Sequence, residues 1–178
     1  MKRPDIHDKT LIEEAVRHSQ NLNCVMMDVE EEDGEKDSVV NDIVAAFGDN
    51  PDDGYEVVKY LENRRYWEGS SELVDAFNSM FFDISRTHEK WVKQWVIENH
   101  IKPALKVGDD VVLKNFNCRG KDVRGKVVEI FTDKAEYIIF CAELGHVRSG
   151  TGSYGVVLPF EQVEDNMEVG RLAIAEES

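Results

Sequence analysis

The chain has 178 residues, of which 42% are hydrophobic and 32% are charged. This length fits one domain or two small ones, with enough apolar residues to bury a core. No apolar run approaches the ~18 residues that a membrane-spanning helix needs, so no membrane span is expected. The first ten residues lack the apolar stretch of a secretory signal.

The net charge of −15 is unevenly distributed. Residues 1–105 carry 12 basic and 23 acidic side chains, whereas residues 106–178 carry 9 and 13. An acidic chain repels nucleic acid unless a local basic patch overrides its field, and it attracts basic partners. The composition therefore favours a protein partner, with nucleic acid as the second class.

Apolar residues at helical spacing occupy most of the first hundred positions. Thr10 and Glu13 have the spacing of a capping box ahead of the first amphipathic stretch. Ser38 is expected to cap another helix, which ends near Gly48. Between them, residues 28–37 are dominated by aspartate and glutamate and predict a solvated loop.

Three further helices are expected in the N-terminal part of the chain. Pro51 is expected in the first turn of one of them. Ser70 or Ser71 caps the next, Thr87 begins the last, and Pro103 ends it. Roughly five helices therefore predict an N-terminal bundle.

After residue 103 the pattern changes from helical to strand-like. Four short stretches rich in β-branched and aromatic residues follow, separated by turn residues, at positions 111–116, 125–131, 136–144 and 154–160. Several short strands at this spacing are typical of a small barrel.

Residues 107–130 resemble the opening of an SH3-like barrel of the KOW type. The KOW pattern is roughly G-D-x-V, a glycine turn, and then G-K-V-x-x-I. The matching residues are Gly108, Asp109, Val111, Gly125, Lys126, Val127 and Ile130. The segment is also similar to the barrel of the nitrile hydratase beta subunit, and residues 158–165 are similar to the closing strand of such barrels. This resemblance implies a small barrel without metal ligands, because the partner subunit of nitrile hydratase holds the catalytic metal.

These patterns together predict an α+β chain in which a helical bundle precedes a small SH3-like β-barrel. The expected organisation is an acidic helical domain in residues 1–103, the barrel in residues 104–165, and a polar tail in residues 166–178.

The stretch GTGSYGVV, residues 150–157, matches the glycine-rich loop of protein kinases. The remaining 21 residues contain no lysine, and the chain has neither H-R-D nor D-F-G. A dinucleotide-binding loop is excluded as well, because Pro159 lies where its helix would continue. We interpret the stretch as a glycine-rich connection between two strands.

Basic residues cluster between the first two predicted strands, with an aromatic residue among them. The candidate binding residues are Lys114, Phe116, Arg119, Lys121, Arg124 and Lys126. Such a set can bind phosphates through its cations and stack a base on the phenyl ring. A solvated hairpin loop is the simpler explanation of the pattern, because basic clusters are common. A loop that docks on the acidic half of the same protein is a further alternative.

The acidic stretch offers a candidate surface for a basic partner, formed by Glu30, Glu31, Glu32, Asp33 and Glu35. Clustered carboxylates of this kind can imitate DNA phosphates and occupy the basic groove of a nuclease or polymerase. A solvated loop that keeps the protein dispersed has the same composition.

The cysteines and histidines predict no metal site and no cofactor. Cys24, Cys118 and Cys141 are too few and too far apart for a disulfide framework, so a reduced cytoplasmic setting is expected. Neither C-x-x-C nor H-E-x-x-H occurs. The alternation around Cys141 predicts that its thiol is buried, and the acidic turn at residues 49–54 lacks the spacing of a calcium loop.

Three functional classes remain open. The favoured class is a non-enzymatic binding or adaptor protein that acts through protein–protein contacts, since no catalytic set is recognised. The first alternative is an acidic DNA-mimic inhibitor of a nucleic-acid enzyme, of the type that phages and mobile elements encode. The second is nucleic-acid contact through the basic loop of the barrel, and an enzyme is the least supported class.

Overall fold

In the computed structural model the described residues are 2–27, 35–114, 122–142 and 155–164. Within these ranges a helical part precedes a four-stranded antiparallel sheet, so the predicted α+β class is confirmed. The chain divides into two compact units, Met1–Trp95 and Val96–Ser178, which we call the helical unit and the sheet unit.

Five helices come first among the described residues: α1 (Lys9–His18), α2 (Asn21–Met27), α3 (Glu35–Gly48), α4 (Gly54–Arg65) and α5 (Ser71–Glu98). They are followed by β1 (Asp110–Leu113), β2 (Val123–Phe131), β3 (Glu136–Phe140), β4 (Val156–Pro159) and the short helix α6 (Phe160–Glu164). Within these described ranges, none of the helices combines the length and apolarity that a membrane crossing requires.

The first helix is capped by Asp8, so the predicted capping box at Thr10 is wrong. The Asp8 carboxylate accepts hydrogen bonds from the backbone N–H groups of Thr10 at 2.8 Å and Leu11 at 3.4 Å. Because this carboxylate already satisfies exposed donors of the first turn, α1 begins at Lys9 and Thr10 lies inside it.

Two other helices also begin at positions that differ from the predicted ones. Helix α3 begins at Glu35, three residues before the expected cap Ser38. Helix α4 begins at Gly54, and Pro51 precedes it, because Asp53 caps α4. The Asp53 carboxylate accepts from the N–H of Glu56 at 2.9 Å, while the Glu56 carboxylate accepts from the N–H of Asp52 at 2.8 Å. This reciprocal pair fixes the start of α4.

Helix α5 is continuous through Thr87, so the two helices predicted between residues 70 and 103 are one helix of 28 residues. Its predicted start is confirmed, because the Ser70 hydroxyl accepts from the N–H of Leu73 at 3.1 Å. No glycine or proline occurs between Ser71 and Glu98. Thr87 therefore meets no break in the helix and does not start a new one.

The core of the helical unit is assembled around α5. Phe77 and Met80 of this helix are fully buried, together with Leu11 of α1 and Ile43 of α3. The ring of Phe47 packs edge-to-face against Phe77 and Phe81, at centroid distances of 6.2 and 4.9 Å. Burying a side chain of this size contributes ~1.5–3 kcal/mol to the free energy of folding. This packing holds the helices in place, and with them the residues on their exposed faces.

The sheet is a meander in which each strand pairs antiparallel with the next, in the order β1-β2-β3-β4. The register sets Val111 opposite Gly125, Val127 opposite Ile139, and Tyr137 opposite Leu158. These residues share one face, and the large side chains on it are buried. The pairing of β2 with β3 shifts between Val127 and Glu129, which is a β-bulge.

Tyr137 connects three parts of the sheet unit. Its hydroxyl oxygen accepts a hydrogen bond from the backbone N–H of Leu105 at 3.1 Å, and both residues are buried. Its ring lies 4.3 Å from the ring of Phe160 in α6. This one side chain therefore joins the segment before β1, the strand β3 and the helix that follows β4.

The close approach of α4 to α5 predicts that Gly54→Ala destabilises the helical unit. A Cβ atom at position 54 would collide with the backbone carbonyl oxygen of Val74 and lie 2.9 Å from the backbone nitrogen of Asn78. We expect a loss of about 1–3 kcal/mol in the free energy of unfolding, measured by urea denaturation. Gly48→Ala is the matched control, because a Cβ there meets nothing within 4 Å. Equal stability of the two variants would contradict this account.

The buried hydroxyl of Tyr137 predicts that Tyr137→Phe lowers the stability of the sheet unit by about 1–3 kcal/mol, because the Leu105 N–H loses its acceptor. Thermal and urea unfolding of the variant measure this loss. Tyr55→Phe serves as the control, since Tyr55 is exposed. If both variants unfold like the unmodified chain, the Tyr137–Leu105 hydrogen bond does not stabilise the sheet unit.

Candidate binding surfaces

The predicted basic set lies partly within the described residues. Lys114 directly follows β1, and Arg124 and Lys126 lie on β2. Phe116, Arg119 and Lys121 lie outside the described residues.

Arg124 and Lys126 lie on the sheet face opposite Val127 and Tyr137, and this second face is exposed at both residues but buried at Ile138. Val123 and Val127, which alternate with Arg124 and Lys126, are buried. Lys126 is paired in register with Phe140, which is 36% exposed. The structure thus brings two of the predicted cations to one exposed face, next to an aromatic ring that the sequence did not single out.

Acidic side chains share this face and offset its positive charge. The Lys126 ammonium lies 3.6 Å from the carboxylate of Asp110. By the strand register, Glu129 and Glu136 also belong to this face. The described part of the face thus carries three acidic and two basic side chains, so its charge does not by itself favour phosphate groups.

The remaining predicted positions fall largely outside the described residues. Glu30, Glu31, Glu32 and Asp33 lie outside them, as do the side chain of Glu35, the residues Cys118 and His146, and positions 150–154. Cys141 is 2% exposed, in agreement with the predicted burial. Within the described ranges, no group of three or more His, Cys, Asp or Glu side chains is arranged to hold a metal ion.

Tyr66 is an exposed aromatic residue that the sequence did not reveal. It caps the C-terminus of α4 with a left-handed backbone, at φ 61° and ψ 28°, and its side chain is 91% exposed. A left-handed cap is usually glycine or asparagine, because a Cβ atom is disfavoured there. The stretch RRYWE carries neither residue, so nothing in the local sequence marks the end of α4 at Arg65.

The carboxylate of Asp42 in α3 fixes both neighbours of Tyr66. Its Oδ1 lies 3.1 Å from the guanidinium Nε of Arg65, and its Oδ2 accepts from the indole Nε1 of Trp67 at 3.3 Å. The backbone N–H of Trp67 also donates to the carbonyl of Leu61 at 3.4 Å. The chain on each side of Tyr66 is therefore tied to the helical core while the phenol ring faces solvent.

An apolar groove opens on the helical unit between the N-terminal segment, α1, the end of α3 and α5. It has a cavity volume of about 90 Å³ and is partly open to solvent. Its lining residues are mainly apolar: Ile6, His7, Ile12, Phe47, Asn50, Pro51, Phe81, Ile84 and Ser85. The sequence pattern could not predict this groove, because its lining comes from four separate segments.

Carboxylates flank two of the segments that line the groove. Asp49 and Asp52 stand directly before and after the lining residues Asn50 and Pro51 in the sequence, and Asp5 directly precedes the lining residue Ile6. The hydrogen bond from the backbone N–H of His7 holds the pKa of Asp5 below its usual range, so Asp5 is ionised near neutral pH. We call the carboxylates that flank these lining segments in the sequence the acidic edge of the groove, whose lining itself is mainly apolar.

Comparisons with protein-family models, curated protein sequences and solved structures found no significant similarity.

The anchoring role of Asp42 predicts different effects for two substitutions. Asp42→Ala removes both acceptors, so we expect the free energy of unfolding to fall by about 1–3 kcal/mol, since the partly buried indole N–H of Trp67 loses its acceptor. Asp42→Asn retains one carbonyl acceptor and should cost less. Urea unfolding measures stability, and amide hydrogen exchange measures local opening at Tyr66 and Trp67. Unchanged exchange in Asp42→Ala would show that these contacts do not fix the segment.

Proposed function

We propose that this protein is a non-enzymatic binding or adaptor protein that acts through protein–protein contacts, with Tyr66 as a central contact residue. The observation that carries this proposal is the combination of 91% exposure at Tyr66 with neighbours on both sides that are bonded to Asp42. An exposed aromatic residue in a disfavoured backbone conformation supports a functional role for that position.

The physical basis is the energetics of interface contacts. Tyrosine and arginine are enriched among the residues that dominate binding energy, and Arg64 and Arg65 directly precede Tyr66. The Arg64 guanidinium also lies 5.8 Å from the ring centroid of Tyr60. Because the backbone around Tyr66 is already fixed, a partner orders little more than one side chain there, and the entropic cost of association stays low.

For the sheet unit we propose the finer assignment to the SH3-like barrels of the KOW type. Two features support it: the β1-β2-β3-β4 meander and the bulge in β2. The expected closing strand at residues 158–165 is wrong, because β4 ends at Pro159 and residues 160–164 form the helix α6. The backbone N–H of Gly108 donates to the carbonyl of Val127 at 2.8 Å, so the Gly108–Asp109 turn leads directly into the pairing of β1 with β2. Small barrels serve as binding modules, which fits the proposed class by analogy of fold.

Nucleic-acid contact through the sheet unit is the second candidate function. The observation that favours it is the placement of Arg124, Lys126 and Phe140 on one exposed face, where cations can hold phosphates and a ring can stack on a base. The acidic side chains on the same face oppose it. The six predicted residues would therefore have to act together, including those outside the described ranges.

The proposal predicts that Tyr66→Gly abolishes partner binding without loss of stability. Glycine suits the left-handed cap, so we expect the melting temperature to stay unchanged or to rise by about 2–4 °C. The immobilised full chain is incubated with cell lysate, with and without nuclease treatment, at low and at high salt, and retained proteins are identified by mass spectrometry. Tyr55→Ala is the control, because it removes an exposed tyrosine from the other end of α4.

The outcomes of this experiment separate the three classes. Loss of a retained protein in Tyr66→Gly but not in Tyr55→Ala supports the proposed contact. Retention that is equal in both variants contradicts a role for Tyr66. Retention that disappears with nuclease supports nucleic-acid contact instead, and a basic protein that is retained only at low salt, whatever residue 66 is, supports the acidic-mimic alternative.

A further inference from the structure

We propose that the apolar groove of the helical unit binds a basic segment of a partner protein, which inserts an apolar side chain into the groove and sets lysine or arginine residues against the acidic edge. The inference rests on the proposed function only in taking the partner to be a protein. The groove and Tyr66 are separate surfaces, because the loop that lines the groove precedes α4 and Tyr66 follows it.

The groove can receive a side chain because its base is already part of the packed core. Ile12, Phe47 and Ile84 line it and are buried, so the apolar base exists before any partner arrives. Its cavity volume is about 90 Å³. This is well below the roughly 300–1,000 Å³ of small-molecule pockets, so the groove suits one apolar side chain rather than a whole ligand.

An exposed aromatic ring extends the apolar surface beyond the groove. Phe82 is 70% exposed and lies three residues before Ser85 on α5, so the two occupy adjacent positions on the helix surface. Phe82 thus enlarges the apolar surface around the groove, and contiguous apolar surface is what marks interaction sites.

The charge at the end of α3 indicates which partner fits. The C-terminus of a helix carries a partial negative charge, which basic residues in the last turn usually offset. Helix α3 has no basic residue in its last turn, and Asp49 adds a carboxylate directly after it. A lysine or arginine from a partner would be attracted both by the helix end and by this carboxylate.

The other charges around the groove are consistent with the same kind of partner. Asp52 lies beyond the lining residues Asn50 and Pro51, and Asp5 lies on the N-terminal side. Cations also stand near the groove: the Lys2 ammonium lies 4.0 Å from the carboxylate of Asp5, and the guanidinium of Arg86, which follows Ser85, lies 3.9 Å from that of Asp83. Lys2 partly offsets the charge of Asp5, so Asp49 and Asp52 supply most of the attraction. The aspartates would repel nucleic acids and acidic peptides. A basic segment with an apolar side chain could pair with the carboxylates and bury that side chain in the groove.

The test uses peptides selected without bias toward either charge. A random 12-residue peptide library displayed on phage is selected against the immobilised full chain, and the enriched peptides are synthesised with a fluorescent label. We expect the enriched sequences to combine at least two lysine or arginine residues with a large apolar residue. Fluorescence anisotropy then gives the dissociation constant for each variant of the chain at low and at high salt.

Two variants and one control test the groove itself. Ser85→Trp fills the groove from an exposed helix position, so we expect the fold to be retained and the affinity to fall ~10-fold or more. Asp49→Asn combined with Asp52→Asn should weaken binding ~5-fold at low salt and reduce its salt dependence. Glu68→Gln combined with Glu98→Gln removes the same charge elsewhere and should leave the dissociation constant within ~2-fold.

Several results would overturn the inference. Enriched peptides that are neutral or acidic would do so, as would affinities that Ser85→Trp leaves unchanged while circular dichroism shows it folded. A dimer in light scattering that Ser85→Trp converts to monomer would assign the groove to a second copy of this chain. Tyr66→Gly should bind the selected peptides normally, so failure of the groove inference and failure of the Tyr66 proposal remain distinguishable.

Discussion

A continuous buried stripe along α5 determines the arrangement of the helical unit. Leu73, Phe77, Met80 and Ile84 follow one another at helical spacing, and all four are buried. The backbone of α4 approaches this helix so closely that only glycine fits at position 54. The groove depends on the same stripe, since Ile84 forms part of its base and Ser85 its exposed edge. A change in α5 packing would therefore alter both stability and the proposed binding surface.

The two surfaces on the helical unit use different physical means to present an apolar group to solvent. At Tyr66, hydrogen bonds from its neighbours to Asp42 hold the backbone in a conformation that it would otherwise avoid. At the groove, core packing leaves a depression whose base is buried and whose edge is exposed. Both are preformed within the described structure, so little order has to be gained when a partner binds.

The sequence predicted the strands better than the helix boundaries and the surfaces. Runs of β-branched residues separated by turns define β1 to β4 within a few residues, because that pattern is local. Helix starts depend on which of several nearby polar side chains caps the helix. Asp8 caps α1 in place of the expected Thr10, and Asp53 caps α4, which leaves Pro51 before the helix instead of in its first turn. The position of Tyr66 depends on Asp42, 24 residues away in the chain, and no local pattern encodes that contact.

The acidity of the chain and its exposed aromatic groups act on different steps of association. A net charge of −15 raises the encounter rate with basic proteins and lowers it with nucleic acid, and salt screens both effects. Charge alone would let the protein bind any basic surface, because long-range electrostatic attraction depends little on the shape of the partner. Short-range contacts at Tyr66 and in the groove depend on geometry, so they can reject basic proteins that lack a fitting apolar residue. Long-range attraction would then govern how fast partners arrive, and the apolar contacts would decide which of them remain bound.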